Sequence, residues 1–228
     1  MAAGYSAAQV RAAEAPHLAA GEPLMRRAAA ALASVIRREL AEADARLGPV
    51  VLLIGSGDNG GDALFAGAEL AAGGVEVTAL PTSERMHTAG RRAASDAGVR
   101  LVELGDADAA SSALEWAAVV VDGILGTGTS SAPALRGMAR ELVEAAAPLV
   151  ARRRIPVIAV DLPSGIHPDD GTVPDPTVLP ATVTVTFGAV KAGLLLSPAA
   201  DYAGRVELID LGLGDQLATM TPLIVTGD

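Results

Sequence analysis

The chain has 228 residues, half of them hydrophobic but only 2% aromatic, with no cysteine and a formal net charge of -10. That length supports one sizeable core and leaves no room for a second full domain, while the charge argues against nucleic acid or an anionic membrane surface as a partner. Without cysteine, disulfides, thiolate metal sites and a cysteine nucleophile are excluded; with no bilayer-length apolar run and no secretory signal at the start, a soluble cytoplasmic protein is expected.

Ser6 reads as the cap of a short helix through about Glu14, and Pro23 opens a longer helix to about Leu47, which Gly48-Pro49 stops. From there strands and helices alternate: strand 50–54, helix 62–72, strand 75–80, helix 84–97, strand 99–102, helix 107–116, strand 118–122. A Gly/Thr/Ser loop, a helix from Leu135 to Val150 and strands at 156–160, 182–187 and 205–210 complete the series. This alternation predicts parallel crossovers and an α/β, Rossmann-like three-layer αβα sandwich built on a mostly parallel, doubly wound sheet. The five prolines between Pro163 and Pro180 suit an ordered surface loop, and residues 214–228 show little pattern. Residues 1–213 are therefore expected to form the domain, with 214–228 as a tail or the start of a further domain.

The stretch Val50 to Asp62 carries the strongest signal, because five apolar residues of a buried strand run into Gly55-Ser56-Gly57-Asp58-Asn59-Gly60-Gly61-Asp62. Gly55, Gly57 and Gly60 satisfy the G-x-G-x-x-G pattern in its strand-to-helix setting. An ordinary dinucleotide fold has an acid at the end of the second strand to hold a ribose hydroxyl, and here Pro81-Thr82-Ser83 stands there. That departure argues against a hydride-transferring dehydrogenase.

Two further strands deliver an acid into a loop of small residues: Asp122 before Gly123-Ile124-Leu125-Gly126-Thr127-Gly128-Thr129-Ser130-Ser131-Ala132, and Asp161 before Leu162-Pro163-Ser164-Gly165. All three segments fall at carboxyl ends of strands, where open α/β sheets bind ligands. Either acid alone could merely cap a turn; together beside glycine loops they read as function. Asn59, Asp122 and Ser164 offer only oxygen donors with one carboxylate, a set better suited to a monovalent than to a tightly held divalent cation. The amides of 126–132 could hold phosphate or form an ordinary loop, and Lys191 could reach a phosphate from the cleft rim or simply be solvated. Ser164 lies outside a G-x-S-x-G elbow, and His17, His87 and His167 are scattered enough to read as structural.

Taken in order, Leu24 to Ala29, Gly55 to Asp62, Asp122 to Gly128, Asp161 to Ile166 and Thr186 to Lys191 resemble the motifs of the YjeF N-terminal domain family, whose enzymatic members are NAD(P)H-hydrate epimerases. The resemblance implies an isomerase that interconverts the R and S forms of hydrated NADH and NADPH and supplies the S form to a dehydratase, separate or fused. It also implies a homodimer, potassium held by Asn59, Asp122 and Ser164, and hydrated dinucleotide bound by Asp58, Asn59, Gly60, Gly61, Asp62, Asp161 and residues 126–132. Asp122, assisted by Lys191, is the expected acid/base group. Asp58 stands where the family usually has Asn, Ala63 where Gly is common and His167 where Asp is frequent. The alternative within the same fold is a non-catalytic nucleotide-binding or dimerisation module.

Overall fold

A computed structural model describes residues 2–42, 48–129 and 132–227. Seven parallel strands form the central sheet: β2 (Val50–Ile54), β3 (Val77–Pro81), β4 (Arg100–Leu101), β5 (Val119–Gly123), β6 (Val157–Val160), β7 (Val183–Phe187) and β8 (Arg205–Ile209). Their order, β4-β3-β2-β5-β6-β7-β8, reverses direction between β2 and β5. That reversal opens a crevice above the carboxyl ends of the two strands, and the predicted doubly wound α/β sandwich is the fold observed.

Alternation along the strands divides the core into two layers. Val50, Leu52 and Ile54 face a layer shared with α2 (Leu24–Glu42) and α3 (Asp58–Ala72), where Leu32, Ile36, Leu64 and Leu70 are buried. Val51 and Leu53 face the opposite layer, shared with α5 (Ala107–Glu115) and α6 (Gly137–Arg153) through Leu114, Leu142 and Val143. With few aromatics available, small residues such as Ala28, Ala29, Ala33, Ala63 and Ala66 let helix backbones approach the sheet closely. A third, smaller cluster of Leu162, Ile166, Val178 and Leu194 anchors the proline-rich loop, which is ordered as expected.

Several elements depart from the sequence reading, among them the helix expected over 84–97, which begins four residues later, at Thr88, and the one expected to end at Val150, which runs on to Arg153. The helix expected from residue 62 begins four residues earlier, at Asp58, so Asn59, Gly60 and Gly61 form its first turn. Intrinsic propensity disfavours Asn-Gly-Gly in a helix, but packing overrides it: a Cβ on Gly60 would stand 2.2 Å from the Gly55 carbonyl oxygen. The first helix, α1 (Ala7–Ala19), has the expected Ser6 cap, reinforced by a reciprocal Gln9 capping box, and continues past Glu14. Beyond Leu213 the chain forms a short helix, α8 (Gly214–Leu217), and a strand, β9 (Ile224–Thr226), which pairs antiparallel with β1 (Ala2–Gly4). The remaining helices are α4 (Thr88–Asp96) and the short α7 (Ala200–Ala203). The expected helix end near Leu47 lies outside the described residues.

Because the Gly60 contact is backbone against backbone, Gly60→Ala forces the first turn of α3 away from β2. A loss of about 2–3 kcal/mol in denaturant-derived stability is expected, whereas Gly57→Ala, whose added Cβ meets nothing within 4 Å, should leave the denaturation midpoint nearly unchanged.

Candidate active site

A cavity of about 230 Å³ opens at the crevice and is lined from several parts of the chain, among them Leu24, Met25 and Ala28 of α2 and Leu211. α1 contributes Arg11 and Glu14, α3 contributes Asp58, Asn59 and Asp62, and the loop after β5 contributes Thr127 and Gly128. Asp161 enters from the end of β6, and Phe187 and Lys191 from the end of β7 and the turn beyond it. A second cavity of about 170 Å³, between α5 and α6, is largely apolar and contains none of the predicted site residues.

Asp161 ends β6 with φ 68°, in the left-handed region that non-glycine residues seldom adopt. This bend, a form of local strain typical of functional sites, turns the side chain towards β7, where the carboxylate accepts hydrogen bonds from Thr186 Oγ1 at 3.1 Å and the Phe187 amide at 3.2 Å. Lys191 Nζ completes the arrangement with an ion pair to Asp161 and a 2.8 Å hydrogen bond to the Phe187 carbonyl. Lys191 is only 2% exposed, so it is neither solvated nor a rim residue. It is held where a long, flexible side chain becomes a fixed charge.

Asp62 presents the opposite situation. It is 7% exposed, and its Oδ1 has no hydrogen-bond partner. Burial first, then the neighbouring Asp161, Asp58 and Glu14 charges, pushes its carboxyl well above the usual carboxylate range, with Lys191 opposing. Burial likewise raises Glu14. The cavity therefore joins an ion-paired carboxylate, Asp161, to a carboxyl held towards its neutral form, Asp62.

Asp122 stands apart from the residues that line the cavity. It is fully buried, with its carboxylate occupied by the Ser164 amide at 2.8 Å, the Ser164 hydroxyl at 2.6 Å and the Ile124 amide at 3.3 Å. Burial raises its pKa, and the Ser164 and Ile124 hydrogen bonds oppose the rise. It does not line the cavity, and its carboxylate already holds three hydrogen bonds. The Ser164 hydroxyl also accepts from the Leu125 amide at 2.8 Å, and Asn59 Nδ2 donates to the Leu125 and Val160 carbonyls. Asn59, Asp122 and Ser164 are thus tied into one network through residues 122–125 and the end of β6.

Gly60 and Gly61 are buried within α3, where they supply close packing. Gly126 has the same character, since a Cβ there would stand 2.3 Å from Asn59 Oδ1. Thr127–Thr129 forms a single 3-10 turn, Ala132 lines a different cleft with Leu125 and Leu135, and Ser130 and Ser131 lie outside the described residues. The three histidines take structural positions: His17 bonds Glu22 and Gln216, His87 caps α4 through the Gly90 amide, and His167 accepts from the Asp169 and Asp170 amides. Sequence reasoning missed Arg11 and Glu14, which carry no motif. Their one signal was spacing, because i and i+3 place them on one face of the capped helix α1.

Comparison with known proteins finds relatives over nearly the whole chain. A 55% identical protein of Clavibacter michiganensis, matched over 97% of this chain and 94% of its own length, is named NAD(P)H-hydrate epimerase. The same name belongs to a Microbacterium testaceum protein that is 49% identical over 97% of this chain and 83% of its own. A Mycobacterium tuberculosis protein, named bifunctional NAD(P)H-hydrate repair enzyme Nnr, is 42% identical over 92% of this chain but only 41% of its own length. In structure, yeast ynu0 shares the fold, with a TM-score of 0.65 and 22% identity over 75% of this chain and 72% of its own. The family profile described as YjeF-related protein N-terminus matches residues 21–193, and the chain belongs to that family.

Proposed function

We propose that this protein epimerises the R and S forms of hydrated NADH and NADPH. The observation that carries the reading is the ion-paired Asp161 and the unpartnered Asp62 sharing one cavity at the switch point of a nucleotide-binding type of sheet. Hydration of the dihydronicotinamide enamine places a hydroxyl on the ring carbon next to nitrogen. Inverting that carbon requires the C–O bond to break and to reform on the other face, with acid and base groups near the carbon.

Asp62 in its neutral form supplies a proton to the departing hydroxyl, which leaves as water while the ring-nitrogen lone pair forms the C=N bond. Water then adds to the opposite face of the ring carbon, the C=N electrons return to nitrogen, and the added water gives its proton to the Asp161 carboxylate. Return of that proton to Asp62 through solvent restores both groups, with no net change in protons or electrons. Lys191 holds the Asp161 carboxylate in place through its ion pair. An ion-paired carboxylate beside a carboxyl whose pKa burial raises is the arrangement such acid and base steps need.

A potassium ion belongs to the same reading. The buried cluster offers the Asp122 carboxylate, the Ser164 hydroxyl and the Leu125 and Val160 carbonyls, and turning over the Asn59 amide adds its oxygen. One carboxylate among neutral oxygens fits a large, weakly charged cation, which would fix the loop after β5 against β6. The Nnr relative, in which the matched part is 41% of the length, supports a dehydratase as the functional partner that consumes the S form. Among the described residues no helix is long and apolar enough to cross a membrane.

With R-hydrated NADPH as substrate and the two forms followed by proton NMR, the protein should bring the epimers to equilibrium far faster than the spontaneous reaction. Asp161→Asn and Asp62→Asn should each lower kcat by about two to four orders of magnitude. Asp122→Asn is expected to act differently, lowering the melting temperature and the response to potassium. Exchange of potassium for tetramethylammonium should reduce thermal stability in the wild type and much less in Asp122→Asn; equal stability of the wild type in both salts would remove the ion from the scheme.

The raised pKa of Asp62 fixes the sign of a pH effect. Its carboxyl ionises in the unfolded chain before it does so in the folded protein, so ionisation costs stability as pH rises from the ordinary carboxylate range through the folded pKa. Asp62→Asn should therefore melt higher than the wild type on the alkaline side of that window, and the two curves should converge as pH is lowered. Activity of the wild type should fall on the same alkaline limb.

A further inference from the structure

We infer that Arg11 of α1 is a phosphate-binding residue of this site, one that engages the anionic part of the dinucleotide beside the loop at Thr127. The inference rests on the hydrated-dinucleotide reading and adds a residue that no sequence motif marks. Six charged side chains line the cavity: Glu14, Asp58, Asp62 and Asp161 against Arg11 and Lys191. Lys191 is consumed by its buried pair with Asp161. The next arginine to carry a ring contact, Arg26, has its guanidinium stacked 4.0 Å from the centre of the Phe65 ring. Arg11 makes no ion pair among the described residues, and it donates one long hydrogen bond, 3.4 Å from Nη1 to the Thr127 carbonyl.

A dinucleotide carries at least two negative charges on its pyrophosphate, and its approach to a protein of net charge -10 through a cavity rich in acids is unfavourable unless a cation meets it. Arg11 is the lining residue able to do so. Its planar guanidinium donates in the fork that matches phosphate oxygens. The position is also built with care. Tyr5 pairs with Lys191 in an isolated parallel bridge, the Ala7 amide donates to Asp169 Oδ1 at 2.7 Å, and the Ser6 capping box fixes the first turn. Arg11 follows one turn later, presented to the cavity with Glu14 on the same face. α1 lies outside residues 21–193 matched by the family profile, so this cation is supplied by a part of the chain that the shared motifs do not describe.

Calorimetric titration separates binding from turnover. ADP-ribose carries the pyrophosphate, and 2'-phospho-ADP-ribose adds the group that distinguishes NADPH from NADH. Arg11→Gln should weaken binding about tenfold, equivalent to about 1.4 kcal/mol, and Arg11→Lys should restore part of it, with the melting temperature unchanged in both. Equal loss for the two ligands assigns the contact to the pyrophosphate; loss confined to 2'-phospho-ADP-ribose assigns it to the 2'-phosphate, and either supports the proposal. Asp58→Asn, which removes a carboxylate from the same cavity, should tighten both ligands several-fold and should lose that benefit in the Arg11→Gln background if the two charges act on one phosphate. Affinities within twofold of the wild type for both ligands in Arg11→Gln overturn the proposal. A wild type that binds neither ligand overturns the dinucleotide reading along with it, whereas tight, Arg11-dependent binding without epimerisation leaves Arg11 in place and overturns only the reaction.

Discussion

The site depends on the contact between the first turn of α3 and the carboxyl ends of β2 and β5. Gly60 lies so close to the Gly55 carbonyl that no side chain fits between them, and a Cβ on Gly123 would stand 2.8 Å from the Ala63 side chain. The approach draws Asn59 and Asp62 off the helix surface and into the crevice, where both line the cavity. It also explains the tolerance of Ala63 where the family commonly has Gly, because the clearance at that point is supplied from the other side by Gly123. Glycines in this loop are often read as making room for a ligand; here at least Gly60, Gly123 and Gly126 first make room for protein.

Once helix and strands are this close, water is excluded and electrostatics takes over. Asp161 and Lys191 are both buried, and a desolvated ion pair contributes little net stability compared with apolar residues of similar size. Its value is positional: the Thr186 hydroxyl, Phe187 amide and Phe187 carbonyl hold the two charges in a fixed relation. Asp62, whose Oδ1 has no hydrogen-bond partner, is driven towards its neutral form by burial first and then by the neighbouring carboxylates. The same pocket thus holds an ion-paired carboxylate beside a carboxyl whose pKa burial raises, at a cost in stability that hydrophobic burial in the two core layers offsets.

The fold was largely legible because continuous apolar strands and regular strand–helix spacing are local signals repeated along the chain. Strand β2 falls on the expected residues, and the other parallel strands lie within two residues of expectation at either end. What local pattern could not convey was tertiary compensation. Asn59-Gly60-Gly61 looks like loop by propensity and is helix by packing. The antiparallel pairing of β1 with β9 joins segments more than two hundred residues apart, each only three residues long and without marked alternation. In the site, Asn59, Asp62, Asp161 and Lys191 were all legible as candidates through their motifs. Their division of labour was not, because it depends on which carboxylate acquires partners after folding.

Asp122 and Asp161 illustrate that dependence. Both follow an apolar run, both come at the end of a parallel strand, and both precede a loop with glycine, so sequence treats them alike. The chain after Asp122 bends back at Ile124, and Ser164 arrives from the neighbouring crossover to cover it, leaving the carboxylate saturated with hydrogen bonds and fully buried. The chain at Asp161 instead turns through a left-handed conformation that points its carboxylate along β7 towards Lys191 while keeping it on the cavity wall. One acid becomes a structural ligand and the other a candidate base, and the difference arises from a single backbone torsion and from which neighbour supplies the donors. A carboxylate able to exchange a proton with a ligand must retain a face towards it. Asp161 does, as does Asp62 through its unpartnered oxygen, while Asp122 has spent that face on holding the two loops together.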